Sequence, residues 1–154
     1  MLLAAKYKLA HVPTPAGGCL LTDPNFSKRL KDLIDNEGLE FIDRIELLKY
    51  GRHIRFSCKL KLVVGRNQND NNEITRLARA TDYLFSPVEL MGPVALLNDT
   101  ASEEELRRAA SICARYSDAD PVNQFVEIRI CRDKTEEKLK VMPLDPLSAG
   151  LRFL

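Results

Sequence analysis

The sequence of 154 residues has no CxxC pair, no Walker-type or dinucleotide-type glycine pattern, no internal repeat and no apolar run approaching a bilayer span. Each absence excludes something. Cys19, Cys58, Cys113 and Cys131 are far apart, with no histidine nearby to complete a zinc pattern, so neither a zinc site nor a disulfide framework is indicated. Four free thiols fit a reducing compartment. Without a glycine-rich phosphate loop a nucleotide cofactor finds no support in this chain. Only His11 and His53 are present, and no Ser-His-Asp arrangement can be built around either. The opening Met1-Leu2-Leu3-Ala4-Ala5 is interrupted by Lys6 and Lys8 before it could serve as a secretory signal, so the expectation is a cytoplasmic protein with no membrane insertion.

What is present is the composition of one globular domain: 45% hydrophobic, 29% charged and a formal net charge of +1. The near-neutral total hides an asymmetry. Residues 1–66 carry 12 Lys/Arg against 7 Asp/Glu and the remainder 11 against 15, which places an anionic partner on the first part. Leu2 to Leu9 reads as the end of a helix, an odd beginning that suggests a piece of something longer. Pro13 to Gly18 breaks regular structure, and Asp23-Pro24 restarts it as N-cap and first helical residue, with Phe26, Leu30, Leu33 and Ile34 on one face and Gly38 at the end. A second short helix is expected from Glu40 to Tyr50.

Further along, Ile54, Phe56, Cys58, Leu60, Leu62 and Val64 alternate with His53, Arg55, Ser57, Lys59 and Lys61, the period of a strand. Glu73 to Ala80 reads as helix, Tyr83–Phe85 and Val94–Leu97 as two strands, and Ser102 to Glu105 as a capping box opening a helix to about Tyr116. Leu106, Ala109, Ala110, Cys113 and Ala114 give that helix a small-residue packing face. Phe125 to Cys131 and Lys138 to Met142 read as a hairpin. The order implies an α+β domain, a mainly antiparallel sheet with packed helices, preceded by a short helical N-terminal segment.

Two constellations carry chemistry. On a continuous strand Arg55, Lys59 and Lys61 share one face and Arg52 stands just before it, a cationic row that could track phosphates with Ser57 adding a hydroxyl. The same pattern is what a solvated strand face or a lysine-protected sheet edge presents. Gly65-Arg66-Asn67 follows directly. Gly65 would allow positive φ, Arg66 a planar fork of donors, and Asn67 and Asn71 would close the turn or cap the next helix. Separately, Cys19 lies where the Ala16-Gly17-Gly18 loop meets a helix start, a place that favours thiolate, although a small buried residue is the plainer reading. Cys58 and Cys113 read as core.

Lys61-Leu62-Val63-Val64-Gly65-Arg66-Asn67 with Asn71, then Asp82-Tyr83-Leu84-Phe85 to Gly92, Ala109-Ala110, Tyr116-Ser117 and Phe125 to Arg129 resemble the NFACT-type RNA-binding domain. The resemblance is to the variant at the C-terminus of PP-loop enzymes similar to tRNA 4-thiouridine synthases and 2-thiouridylases. Pro15 to Pro24, with Phe26, Arg29, Leu30 and Leu33, resembles the segment that links the PP-loop domain to this module. The resemblance implies two parts, a helical linker over 1–50 with the Gly-Gly-Cys motif and an NFACT-like domain over 51–154. It also implies a role in tRNA modification, as the tRNA-binding part of a thiouridine-forming transferase; the basic strand and the turn then give Arg52, Arg55, Lys59, Lys61, Arg66, Asn67 and Asn71 as the RNA-binding residues, the two asparagines shaping the loop that presents Arg66. ATP and an iron–sulfur cluster belong to the implied parent, and this chain has no PP-loop. Cys19 would act, in sulfur relay or as a cluster ligand, only beside that catalytic domain or subunit; the third alternative is a protein-interaction module that docks to it. Histidines that the broader family carries around the stretch matching Asp82 to Gly92 are replaced here by Ser86 and Pro93-Val94, so their role does not carry over.

Overall fold

The computed structural model describes residues 19–38, 44–98, 101–120 and 124–154. Its centre is a seven-stranded sheet in which every paired neighbour is antiparallel. The strands β1 (Arg52–Arg55), β2 (Lys61–Val64), β3 (Tyr83–Pro87), β4 (Ala95–Leu97), β5 (Val126–Arg132), β6 (Thr135–Val141) and β7 (Arg152–Phe153) lie in the order β6-β5-β3-β4-β2-β1-β7. Three α-helices pack around them: α1 (Pro24–Glu37), α2 (Gln68–Leu77) and α3 (Glu103–Arg115). The α+β class and the helical segment ahead of the sheet are as the sequence implied. Among the described residues no helix is long and apolar enough to cross a membrane.

The middle of the sheet is covered on both faces. Ile54, Leu62, Val64, Phe85 and Leu97 pack with Ala109, Ala110, Ile112 and Cys113 of α3, whose small residues let the helix approach the strands closely. Val63 and Leu96 turn the other way, onto Ile74 of α2 and Leu47. Burial drives the Cys113 thiol up to about 12, and it donates to the Pro93 carbonyl at 3.6 Å, so this cysteine is core as expected.

Two helix starts are where their caps place them. Asp23 accepts from the amides of Asn25 and Phe26 at 2.8 and 3.2 Å, and Ser102 and Glu105 form the reciprocal capping box. Gly38, at φ +85°, ends α1. Phe26 and Leu33 pack on Leu48, whereas Ile34, expected on the same face, is exposed. Helix α2 begins at Gln68, five residues before the expected Glu73, because Asn67 caps it by accepting from the Asp70 amide at 2.9 Å. Of the expected helix from Glu40 to Tyr50, residues 40–43 lie outside the described residues, and the rest contains only a 3-10 turn at Glu46–Lys49. The readings for residues 2–9 and 13–18 also lie outside them.

The largest correction concerns the strand from His53 to Val64. It is two strands, β1 and β2, folded onto each other with Arg52 opposite Val64 and Arg55 opposite Lys61. The Phe56 amide donates to the Leu60 carbonyl at 2.9 Å, and the Ser57 hydroxyl accepts from the Leu60 amide at 3.2 Å, closing the turn between them. Cys58 stands exposed near the tip rather than in the core. Alternation survived the turn in the sequence because both strands are central: all of β2 is buried, Lys61 included, so its lysine mimics a solvated face without being on one.

Candidate nucleic-acid interface

The hairpin has opposite consequences for its basic residues. Arg55 and Lys61, paired across it, both point into α1. The Arg55 guanidinium bonds Asp32, and Glu37 at 3.0 Å, while the Lys61 ammonium lies 3.3 Å from Glu37. All four side chains are under a tenth exposed. Burial lowers the Lys61 pKa, opposed by the attraction of Glu37. These two residues clamp α1 to the sheet and have no free face to offer a phosphate, and Ser57 is occupied in the turn. Lys59 is exposed at the tip, apart from both. The cationic row therefore does not exist as a surface, because the turn at 56–60 reverses the chain between its members.

At the other end of the hairpin the geometry is open. A cleft of about 370 Å³ is lined by Arg52, Gly65, Arg66, Asn67, Gln68 and Asn71 on one side and by Met91, Gly92, Pro93, Tyr116 and Asp118 on the other. The Arg52 guanidinium lies over the Tyr116 ring, 4.7 Å from its centroid, and donates to the Gly65 carbonyl at 3.4 Å. Arg66 is directed by Asp70, which accepts from its Nε at 2.6 Å, its Nη2 at 3.3 Å and its backbone amide at 3.1 Å. The same carboxylate accepts from the Gly51 amide at 3.1 Å. Burial tends to raise the Asp70 carboxyl, but the hydrogen bonds from Arg66 and Gly51 outweigh it and hold the group below its ordinary range. Asp70 is buried while the Arg66 side chain stays 44% exposed, so the pair presents a cation outward with its anion behind it.

Gly65 is required for a different reason from the one its sequence context suggested. Its φ is not positive. A Cβ there would lie 2.1 Å from the Asn71 side-chain oxygen, which is already accepting from the Val94 amide at 2.9 Å. Asn71 also donates to the Gly92 carbonyl at 3.4 Å, so it ties the two walls of the cleft together rather than capping α2. A second, smaller depression of about 130 Å³ adjoins the first through Arg66 and adds Arg29, Lys49, Asp23, Asn25 and Leu20. Arg29 donates to the carbonyls of Leu48 and Gly51 at 2.8 and 3.1 Å, and burial, then the Arg66 charge, lower its pKa. Positive charge is thus concentrated around Arg66.

Residues 51–150 match the family described as the NFACT protein RNA binding domain. The chain belongs to this family. Its RNA-binding domain thus contains both walls of the larger cleft, while Arg29 and α1 lie ahead of the matched stretch. Among solved structures, the C-terminal part of the fibronectin/fibrinogen-binding protein from Streptococcus suis has the same fold, with a TM-score of 0.58 and 18% identity. The match covers 81% of this chain and 59% of that one, so the present chain spans less than two thirds of that structure. No curated protein matches.

Of the seven expected RNA-binding residues in this NFACT domain, Arg52, Arg66, Asn67 and Asn71 meet at one cleft and Arg55, Lys59 and Lys61 do not. Sequence reasoning missed Asp70, which aims Arg66, and the far wall, Met91, Tyr116 and Asp118. Tyr116 had a signal in the family resemblance; Asp118 had none. Cys19 is exposed, its carbonyl accepting from the Thr22 amide at 2.7 Å, next to Leu20 in the smaller depression. Among the described residues no group of three or more His, Cys, Asp or Glu is placed to hold a metal ion, so an iron–sulfur cluster has no donor set within them.

Proposed function

We propose that the chain is the tRNA-holding part of a PP-loop tRNA-thiolating enzyme and grips its RNA at the cleft around Arg66. The observation that carries the reading is the Arg52–Tyr116 stack beside the outward-facing Arg66. It supplies two guanidinium groups of fixed orientation and an aromatic ring within one concave surface, in a domain of an RNA-binding family. Guanidinium forks suit phosphate oxygens, and a ring beside them suits an unstacked base. The choice of tRNA and of a PP-loop partner rests on the resemblance of Pro15 to Pro24 and of the Gly-Arg-Asn turn to that enzyme class. The chemistry, uridine activation with ATP and exchange of oxygen for sulfur, would be performed by the partner domain or subunit.

The test is tRNA affinity at two salt concentrations for the wild type, for Arg52→Ala/Arg66→Ala and for Lys59→Ala. Each lost phosphate contact lowers the slope of log affinity against log salt by roughly 0.9 for a duplex and 0.7 for a single strand. The double variant should lose at least one such contact, that of Arg66, and bind more weakly at both concentrations; unchanged affinity and slope would sink the reading. Co-purification with a PP-loop protein after ribonuclease treatment separates docking to protein from joint binding to RNA. A role for Cys19 in sulfur relay draws on its exposure and on Leu20 beside it in the depression shared with Arg66. Cys19→Ser should then abolish thiolation by the assembled enzyme while leaving tRNA affinity intact, and retained thiolation would remove that role.

A further inference from the structure

One wall of the cleft carries a group that phosphate binding leaves unexplained. Asp118 is exposed, and its carboxylate has no partner among the described residues. Its backbone amide alone is engaged, donating to the Met91 carbonyl at 2.9 Å. A carboxylate repels phosphate, and in a groove that only followed the RNA backbone it would work against Arg52 and Arg66. It is, however, a strong acceptor for the donor edge of a base. Two oxygens can take the adjacent imino and amino N–H groups of guanine together, whereas adenine, uracil and cytosine each offer fewer donors in that arrangement.

The rest of the cleft suits a single base. Arg52 presents a guanidinium plane whose orientation is fixed by the Tyr116 ring and the Gly65 carbonyl, a stacking platform of the kind unpaired RNA bases use. Met91, 80% exposed, adds an unbranched thioether that can lie against a ring. The Asn67 oxygen is taken by the Asp70 amide, which leaves its NH2 group as a donor for a base carbonyl. A volume of about 370 Å³ lies at the small end of the range of small-ligand sites, suited to one nucleotide rather than to a helix.

We infer that the cleft is a pocket for one unpaired guanine nucleotide of RNA. The base stacks on Arg52 with its Watson–Crick edge on Asp118, and the adjoining phosphate meets Arg66. This deepens the proposed function and rests on that reading of the cleft.

The experiment uses the full chain and a set of hairpin RNAs identical except for a one-nucleotide bulge of G, inosine, A, C or U, with a fully paired hairpin as reference. Bulged G should bind about tenfold tighter than bulged A, bulged U or the paired hairpin, the scale of one bidentate base contact. Inosine keeps the imino N–H and the carbonyl but lacks the amino group and should fall between, while C, with one donor group like A and U, should bind at their level. Asp118→Ala should bring G down to the level of A without weakening the paired hairpin. Arg66→Ala should weaken every member of the set. Equal binding of all bulges by the wild type, or a G preference that persists in Asp118→Ala, overturns the guanine pocket. If Arg66→Ala still weakens all the RNAs in that case, the phosphate site stands alone; if it weakens none, the cleft is not the RNA site and both readings fall. Asp118 is exposed and its carboxylate makes no hydrogen bond or ion pair among the described residues, so its variant should keep the wild-type urea midpoint.

Discussion

The two ends of the β1–β2 hairpin carry similar basic residues and use them in opposite ways. At the turn end, Arg55 and Lys61 are enclosed by Asp32 and Glu37 of α1 and hold the helix to the sheet. At the open end, Arg52 and Arg66 are braced from one side, by Tyr116 and Asp70, and face a cleft on the other. What separates them is where the compensating carboxylate sits. An anion that closes over a cation removes it from use; an anion behind a cation aims it.

The strongest break in that comparison is a substitution on the enclosed side. Asp32→Ala leaves the Arg55 charge buried with one partner fewer, and losing one member of a buried ion cluster costs about 3–5 kcal/mol. Urea unfolding should show a loss of that order, while RNA affinity of the remaining folded protein should stay near wild type. The corresponding change on the open side, Arg66→Ala, should do the reverse. Stability falls by less than in Asp32→Ala, because the buried Asp70 keeps the Gly51 and residue-66 backbone amides as donors, and RNA affinity falls about tenfold at moderate salt, read by anisotropy titration. If both variants lost stability and affinity together, the two ends would not be separate devices.

A smaller effect comes from His53, which lies fully buried between them. Its Nε2 is 2.9 Å from the Tyr50 carbonyl, and burial, then the nearby Lys61 and Arg29 charges, push its pKa well below the ordinary 6.5. The folded protein therefore keeps this ring neutral where the unfolded chain protonates it. The stability this contributes is complete above pH 6.5 and is lost as pH falls from there toward the folded-state value. The slope cannot exceed about 1.4 kcal/mol per pH unit for one proton. A His53→Gln variant should show a flatter stability profile between pH 6.5 and 5 than the wild type, whatever its absolute stability; an equal slope would assign the acid loss to other groups. The smallest effect belongs to Lys59, exposed at the hairpin tip. Lys59→Ala should change stability by no more than about 0.5 kcal/mol, with RNA affinity unchanged within error.

These contrasts mark what the sequence could convey. Features set by neighbours a few residues apart were legible: the Asp23-Pro24 start of α1, the Ser102–Glu105 box, the β5–β6 hairpin and the small-residue face of α3. The α+β class followed from their order. The break between β1 and β2 was not legible, because a period of two persists through 56–60 and no Gly, Pro or Asn marks the turn. The partners of Arg55 and Lys61 lie 18 to 24 positions upstream on another element, out of reach of any local pattern. For the same reason only half of the cleft was readable. Gly65 to Asn71 forms one wall from contiguous sequence, while Met91, Tyr116 and Asp118 arrive from a loop and a helix end brought close by the sheet order.

Asp70 gathers the Gly51 amide, the Arg66 amide and two nitrogens of the Arg66 side chain onto one carboxylate. The rotamer of Arg66 is therefore selected when the chain folds, before any RNA arrives. A preorganised guanidinium loses little further entropy on capture of a phosphate, so the speed of RNA association should be set by diffusional encounter and ionic strength rather than by rearrangement of the cleft.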